Sequence, residues 1–414
     1  MAYISFDKII YMHLFIAQFV DTVTQGIIPD GGVLVDVNGI IQAINTSNFF
    51  EINHPELFLA AKKYTGIIVP GFVNVHCHIE LSHLKNKIPQ GGGLNLFLAN
   101  LEQHRKDDNE TIISAAKEAL FEMEKEGIVA VGDICNSTIV AKILSHTNLY
   151  IHHFSEAYAI DATKAEAAFA KAKTTYDVFD GDRKSIVPHS PYSVSNLLMD
   201  KISEHNIKFQ EITCIHNQET EGENEMYVSK TGETIERLQM WGLNLSSFNP
   251  TGKHALYNFL PKLAKAKHVL MVHNTFTTKE DIIWAMENFD NVFWCFCVRA
   301  NLFIENKIPP IELFLACDDK ICIGTDSLAS NRSLSFIKEM KEIQDYLLEK
   351  GVKESSIISL QMLLKWATIN GAKYLCIDKT MGSIEVGKRP GLCLLENIGE
   401  NFLITNDTYI RRLI

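Results

Sequence analysis

From residue 67 to residue 326 the chain repeats one unit: a short apolar run, a polar break, then a segment with helical spacing. The runs start at Ile67 (IIVPGFVNVHC), Ile128 (to Cys135), Tyr150 (to Ala157), Ser185 (to Val194), Phe209 (to His216), His268 (to Asn274), Val292 (to Cys297) and Lys320 (to Asp326). Helical spacing is plainest over Leu94 to His104, Glu110 to Glu126 and Ala162 to Tyr176. Strands alternating with helices are the pattern of parallel βα units. Eight of them predict an α/β fold, a (β/α)8 TIM-type barrel, with its site at the carboxyl ends of the strands.

The two ends of the chain read differently. Residues 1–66 hold short β-like segments: an apolar run from Ile9 to Val20, a turn at Pro29-Asp30-Gly31-Gly32, and a hairpin signal at Asn38-Gly39. LCLLEN and LITNDTYIRRLI near the C-terminus behave alike. Together they predict a small β-sandwich built from 1–66 and 379–414 around a barrel of 67–378. One connection, 217–262, is too long for a plain loop and reads as a lid with one helix, Glu233 to Trp241. Within it Glu221, Glu223 and Glu225 read as a solvated acidic face.

Composition narrows the partners. A net charge of -11 without a basic cluster argues against nucleic acid, whose phosphates demand grouped Lys and Arg. The run from Ile9 is too short to span a membrane, carries His13 and Gln18, and reads as strand rather than secretory leader. Nine Cys with no CxxC pair, several inside strand-like runs, read as reduced core residues of a cytoplasmic protein acting on a small molecule.

Several strand ends carry chemistry. His76 and His78 alternate with Cys77, so both imidazoles face one side of the first strand. An HxH triplet alone arises by chance in about half of such chains. Its partners make it meaningful: His216 ends the fifth strand, His273 the sixth and Asp326 the eighth. Neutral imidazoles with one carboxylate suit one divalent ion, Zn²⁺ first and Fe²⁺ or Mn²⁺ as alternatives, with a position left for water. An ion of that kind acidifies water, and Asp326 or Glu219, three residues beyond His216, can accept the proton. An exposed loop acid is the competing reading of Glu219. His273 is placed to hydrogen-bond a developing oxyanion.

The ordered set HCH at 76–78, PHSPY at 188–192, HNQE at 216–219, HN at 273–274 and GTDSLASN at 324–331 resembles the amidohydrolase superfamily, in its mononuclear deaminase and chlorohydrolase branch. The resemblance covers nearly the whole chain. It implies that His76, His78, His216 and Asp326 bind the metal, that Glu219 shuttles protons and that His273 assists. Binuclear relatives need a carboxylated Lys or an acid on strand four; here that strand reads VPHSPYSV with no Lys near its end, which implies a single ion. PHSPY is similar to the motif of methylthioadenosine and S-adenosylhomocysteine deaminases and implies that His189 contacts substrate, a buried core His being the alternative. HIELSHL is similar to the opening of aminofutalosine deaminases and puts Glu80 and Ser82 at the pocket, although Glu80 could equally cap the next helical turn. Where relatives read CPxSN, this chain has Cys297-Val298-Arg299-Ala300-Asn301; Arg299 pairs with a substrate carboxylate or with a surface acid. The implied reaction is deamination of a 6-aminopurine nucleoside with release of ammonia. Hydrolysis of a ring amide or a carbon–halogen bond is the alternative, and a non-catalytic scaffold the minor one. The resemblance also allows a homodimer.

Overall fold

Among the residues that the computed structural model describes, 12–246, 248–352 and 359–414, fourteen strands fall into three sheets. Both ends of the chain build the first: β1 (Met12–Asp21), β2 (Ile27–Asp36), β3 (Ile41–Thr46), β4 (Lys62–Pro70), β13 (Leu392–Glu396) and β14 (Tyr409–Arg412), in the order β14-β13-β4-β1-β2-β3. Asn38-Gly39 does close the β2–β3 hairpin, Gly39 at φ 78° and the Asp36 carboxylate accepting the Asn38 and Ile40 N–H groups. Side chains alternate across the sheet. Leu14, Ile16 and Leu34 meet Phe50 and Leu57 of two short helices, while Phe15, Ala17, Val33 and Val35 pack with Ile384 and Leu394. The expected sandwich is thus one six-stranded sheet, with a helix pair where a facing sheet was expected. The part of the first run at 9–11 lies outside the described residues.

The apolar run from Ile67 is two strands, not one. Its first part belongs to β4, which pairs with β1 and β13; after Gly71 the chain enters β5 (Phe72–Cys77), in a different sheet. The terminal sheet therefore keeps four residues beyond the boundary expected at 66, and the crossing falls at Gly71, where a Cβ would meet Val129 Cγ1 at 2.3 Å and the Pro390 carbonyl oxygen at 2.9 Å.

Two four-stranded parallel sheets form the middle: β5 with β6 (Ile128–Cys135), β7 (Tyr150–Ala157) and β8 (Lys184–Pro188), then β9 (Thr213–Asn217) with β10 (Val269–His273), β11 (Val292–Phe296) and β12 (Ile321–Ile323). Each runs in chain order, as βα units require. Val73, Val75, Ile134, Phe154, Val272 and Cys295 share one cluster. The alternate residues Phe72, Val131, Ile151, Met271 and Trp294 join the helices in another. Helix Phe336–Glu349 illustrates the cover: it buries Phe336, Ile337, Met340, Ile343, Gln344 and Leu347, one stripe at helical spacing.

Three strands fall well short of the apolar runs that announced them. Helix Asn196–Phe209, capped by Ser195 and ended by Gln210 at φ 55°, takes the residues expected to open the fifth strand. Beyond Pro188 the chain turns through a 3-10 segment, Pro191–Ser193, and β12 stops at Ile323, so Asp326 sits in the loop after it. The long connection holds three helices, Glu221–Ser229, Glu233–Met240 and Leu256–Leu263, rather than one.

Gly132 on β6 lies where a side chain cannot: a Cβ would come within 2.4 Å of the Val75 carbonyl oxygen and 2.9 Å of the Phe154 ring. Gly132→Ala should therefore push β6 from β5 and lower unfolding free energy by about 2 kcal/mol, read as a shifted denaturant midpoint at constant slope. An unshifted midpoint would mean that the ladder yields there without cost.

Candidate metal centre

The strand ends converge on one rim. Asp326 Oδ1 stands 3.7 Å from His76 Nε2 and 3.4 Å from His78 Nε2. Ring centroids of His76 and His216 are 4.9 Å apart, those of His216 and His273 5.4 Å. Backbone bonds set these positions. The Thr325 and Asp326 N–H groups both donate to the His76 carbonyl, and Asn74, two residues before His76, bonds the Thr325 hydroxyl at 2.8 Å. His216 N–H donates to the His189 carbonyl. Gln218, His273, Asn274 and Asp326 all take left-handed backbone, at φ 46°, 75°, 58° and 56°. Such conformations cost about 1–3 kcal/mol each and collect where a site requires a side chain to turn inward. The ladder holds them: Asn274 N–H donates to the Asn217 carbonyl, and its side chain to the Met271 and Cys295 carbonyls.

Protonation states follow from burial. Desolvation holds the His76 imidazole below its ordinary value, pushes His78 down to about 3 and carries His216 well below the usual range, leaving neutral rings. Burial would raise Asp326, but the His76 and His78 imidazoles outweigh it and keep the carboxylate ionised. His216 Nδ1 donates to the His189 carbonyl at 2.7 Å, which turns its Nε2 lone pair toward the cluster. Ser330 Oγ donates to Asp326 Oδ2 at 2.6 Å, leaving Oδ1 for the histidines' side.

Both ring nitrogens of His76 and Nδ1 of His78 are buried without a hydrogen-bond partner. Buried polar atoms are rarely left so unless something completes them. Donor atoms of His76, His78 and Asp326 lie within 4.8 Å of one another, as do those of His76, His216 and His273. Three neutral nitrogens and one anionic oxygen are a donor set for a divalent ion of the Zn²⁺ type. The residues present fit such an ion.

Beside the cluster sits Glu219, 6% exposed, its Oε1 3.6 Å from His273 Nε2. Burial pushes its carboxyl up to about 7, where it can both take and give a proton near neutral pH. His273 Nδ1 donates to Asn301 Oδ1 at 2.7 Å, so Nε2 carries a proton only in the imidazolium form. Glu223, expected in solvent, is fully buried and its Oε1 accepts the Gln218 N–H at 3.0 Å, fixing the backbone next to Glu219. Gln218 is further tied to Asp281 and Thr277.

Residues 67–409 match the amidohydrolase family over their whole length. The chain belongs to that family. This amidohydrolase is 26% identical to an adenosine deaminase of Helicobacter pylori, over 88% of its own length and 87% of the relative's. It is 24% identical to an aminodeoxyfutalosine deaminase of Nitratiruptor sp., over 96% and 95%. Its fold superposes on the crystal structure of Helicobacter pylori aminofutalosine deaminase in complex with methylthio-coformycin, with a TM-score of 0.78, 24% identity and coverage of 95% and 93%.

Not every residue singled out from the sequence reaches the amidohydrolase site. His189 does: it lines the cavity beside His78, His216 and Glu219, its Nδ1 engaged by Ser190 and Ser193. Glu80 does not, because the chain after His78 turns into a 3-10 helix, Ile79–Leu84, and Glu80 Oε2 is taken by the Ser137 N–H and hydroxyl. Ser82 Oγ donates to the Ile79 carbonyl inside the same turn. Asp133 steadies that turn by accepting the Ile79 N–H. Arg299 faces away: it lies against Glu339 and Glu342, lining surface clefts that share no residue with the metal-side cavity. Two residues of a larger adjoining cavity, which shares His78 and His189 with the metal-side one, went unnoticed in the sequence: Glu156 at the end of β7 and Arg237 on helix Glu233–Met240. Glu156 closes an apolar run after a second His pair, a signal that was there to be read.

Arg299 gives a contrast test. Burial pushes Glu339 up to about 8, with the Arg299 N–H and the Asn331 side chain opposing. A raised folded pKa makes the group's contribution favourable below about 4.5 and lost as pH climbs through about 8, since the proton is kept only by the folded state. Arg299→Ala should therefore lower thermal stability more at pH 9 than at pH 6, leaving kcat/KM within about twofold of wild type. A large loss of turnover in folded protein would return Arg299 to the site.

Proposed function

We propose that this chain is a metal-dependent aminohydrolase that removes the exocyclic amine of a 6-aminopurine nucleoside and releases ammonia. The observation that carries the proposal is Glu219: a buried acid poised near neutrality, 3.6 Å from His273 and at the same cavity as His78, His216 and Asp326. The names of the relatives, deaminases of adenosine and aminodeoxyfutalosine, support the substrate class. We read the two parallel sheets as halves of an eight-stranded (β/α)8 barrel. Its seams would be the bonds His216 N–H to His189 and Thr325 N–H to His76.

His76, His78, His216 and Asp326 would hold the ion, with Zn²⁺ favoured by three nitrogen donors and one carboxylate. When bound, such an ion supplies Lewis acidity and makes water a nucleophile near pH 7. The protein's own groups do the rest. Glu219 takes a proton from the attacking water and delivers it to the ring nitrogen next to the amino-bearing carbon. As the second water proton passes to the amine, the carbon–nitrogen bond breaks and ammonia departs, leaving the 6-oxo ring. His273, backed by Asn301, holds the developing oxygen charge when its Nε2 is protonated. His189, its ring 4.9 Å from that of His216, would orient the base.

Nine unpaired cysteines, eight of them buried, suit a reducing compartment, the cytoplasm in this proposal. No helix among the described residues is long and apolar enough to cross a membrane. A panel of adenosine, methylthioadenosine, S-adenosylhomocysteine and an aminofutalosine-type nucleoside tests the reaction. Ammonia should appear stoichiometrically with the 6-oxo product. Its absence from all four would sink the proposal, and chloride or a ring-opened acid from halogenated or cyclic-amide substrates would replace it with the other hydrolysis.

A further inference from the structure

On the face of β6 and β7 that meets the helices lies a second group of donors. Along these strands Ala130, Ile134 and Phe154 join one core cluster, while Val131, Cys135 and Ile151 join the one that includes the helices. Side chains alternate, so Asp133 and His153 belong to the same face as Cys135. They stand side by side in the β6–β7 register, as Cys135 does with Ser155. All four are buried, His153 the most exposed of them at 7%. One donor atom each of Asp133, Cys135 and His153 lies within 4.8 Å of the other two.

The bonding of this group is incomplete. Cys135 Sγ donates to Asp133 Oδ2 at 3.0 Å, and Asp133 Oδ1 accepts the Ile79 N–H. His153 Nδ1 and the Ser155 hydroxyl are buried without a partner. The His153 ring lies flat on Phe179, centroids 3.7 Å apart and planes 9° from parallel, which fixes its plane beside the other two donors. Orphaned buried polar atoms are few in folded proteins, and two of them around one thiol–carboxyl pair call for a ligand.

Charge selects the ligand. Burial pushes the His153 imidazole down to about 3, leaving a neutral ring with a lone pair to give. It pushes the Asp133 carboxyl up to about 7 and the Cys135 thiol upward, and among the described residues no cation pairs with Asp133. A carboxylate and a thiolate carry two negative charges between them, which one divalent ion cancels where an unbalanced charge is costly. Sulfur, nitrogen and oxygen donors together suit Zn²⁺ or Cd²⁺, whereas Mg²⁺ and Ca²⁺ take oxygen.

We propose that Asp133, Cys135 and His153 form a second metal site, for a thiophilic divalent ion of the Zn²⁺ class. On binding, the Cys135 S–H bond breaks, its proton leaves to solvent and a sulfur–metal bond forms. The site shares no residue with the His76 centre and stands independently of the deaminase reading.

The His76 centre offers only nitrogen and oxygen, so a thiolate-to-metal charge-transfer band in the ultraviolet reports the second site alone. Protein reduced with a phosphine and already holding one equivalent of Zn²⁺ is titrated with Cd²⁺, with circular dichroism verifying the fold of each variant. The band should saturate at one Cd²⁺ per chain and disappear in Cys135→Ser. It should persist in Cys376→Ser, which removes the exposed thiol. His153→Gln should keep the band but weaken Cd²⁺ binding at least about tenfold. No band in wild type, a band that survives Cys135→Ser, or one that vanishes with Cys376 overturns the inference. Should Cys135→Ser fail to fold, His153→Gln decides: an unchanged Kd would leave the imidazole out of the site and sink the proposal.

Discussion

Glu219→Gln should lower kcat by about 10³-fold, within the 10²–10⁴ range of a positioned proton carrier, while the metal content stays at one equivalent. The change keeps the side chain's shape and hydrogen-bonding reach but removes its ability to exchange a proton. Among the described residues no other carboxylate stands within ion-pair distance of His273. Asp326 is held ionised by the histidines around it and Glu223 is committed to the Gln218 backbone, while Glu156, whose carboxyl burial also pushes up to about 7, lies against His216 Nδ1 instead, at 3.8 Å. Because an amine is a poor leaving group until protonated, the loss should fall on kcat rather than on KM. Ammonia assays paired with metal analysis decide it. Turnover retained to within tenfold would mean that another group carries the protons.

Asp326→Asn should reduce bound metal far below one equivalent and turnover with it, by about 10³-fold or more at limiting metal. Asn tolerates the left-handed backbone at φ 56° and can still meet Ser330, so the substitution isolates the charge. Without that anion the three remaining donors are neutral rings. A second readout needs no substrate. Adding Zn²⁺ to metal-stripped wild type should raise Tm, because a ligand at about 1,000 times its Kd stabilises by about 4 kcal/mol; in the variant the rise should vanish. Equal rises in both proteins would place the ion elsewhere.

The converging residues could be read in advance because strand ends in parallel βα units all point to one rim. His76, His216 and His273 each close or nearly close a strand, and Asp326 lies just past one. Residues further along a turn were another matter. Glu80 and Ser82 share the HIELSHL motif with His78, yet a 3-10 turn directs them to Ser137 and to the Ile79 carbonyl, a bend that apolar periodicity does not encode. Glu223 looked solvent-facing in an acidic run, but helix Glu221–Ser229 rotates it inward. Arg237 was unreadable for the opposite reason: of its surroundings only Trp241, one turn along the same helix, is local, while Asn95 and Tyr192 come from other elements. At the other end of the molecule, the apolar run from Ile67 passes from one sheet to another at Pro70-Gly71, its one turn signal.

That passage means the catalytic half cannot be cut free. β4 is stitched between β1 and β13, and a single residue later the same backbone becomes the strand that carries His76. A shortened chain lacking the last two strands would leave β4 with a bare edge and slacken the anchor that sets how far the first two imidazoles project. Trimming the tail should therefore be felt as a loosened grip on the ion, at the far end of that anchor.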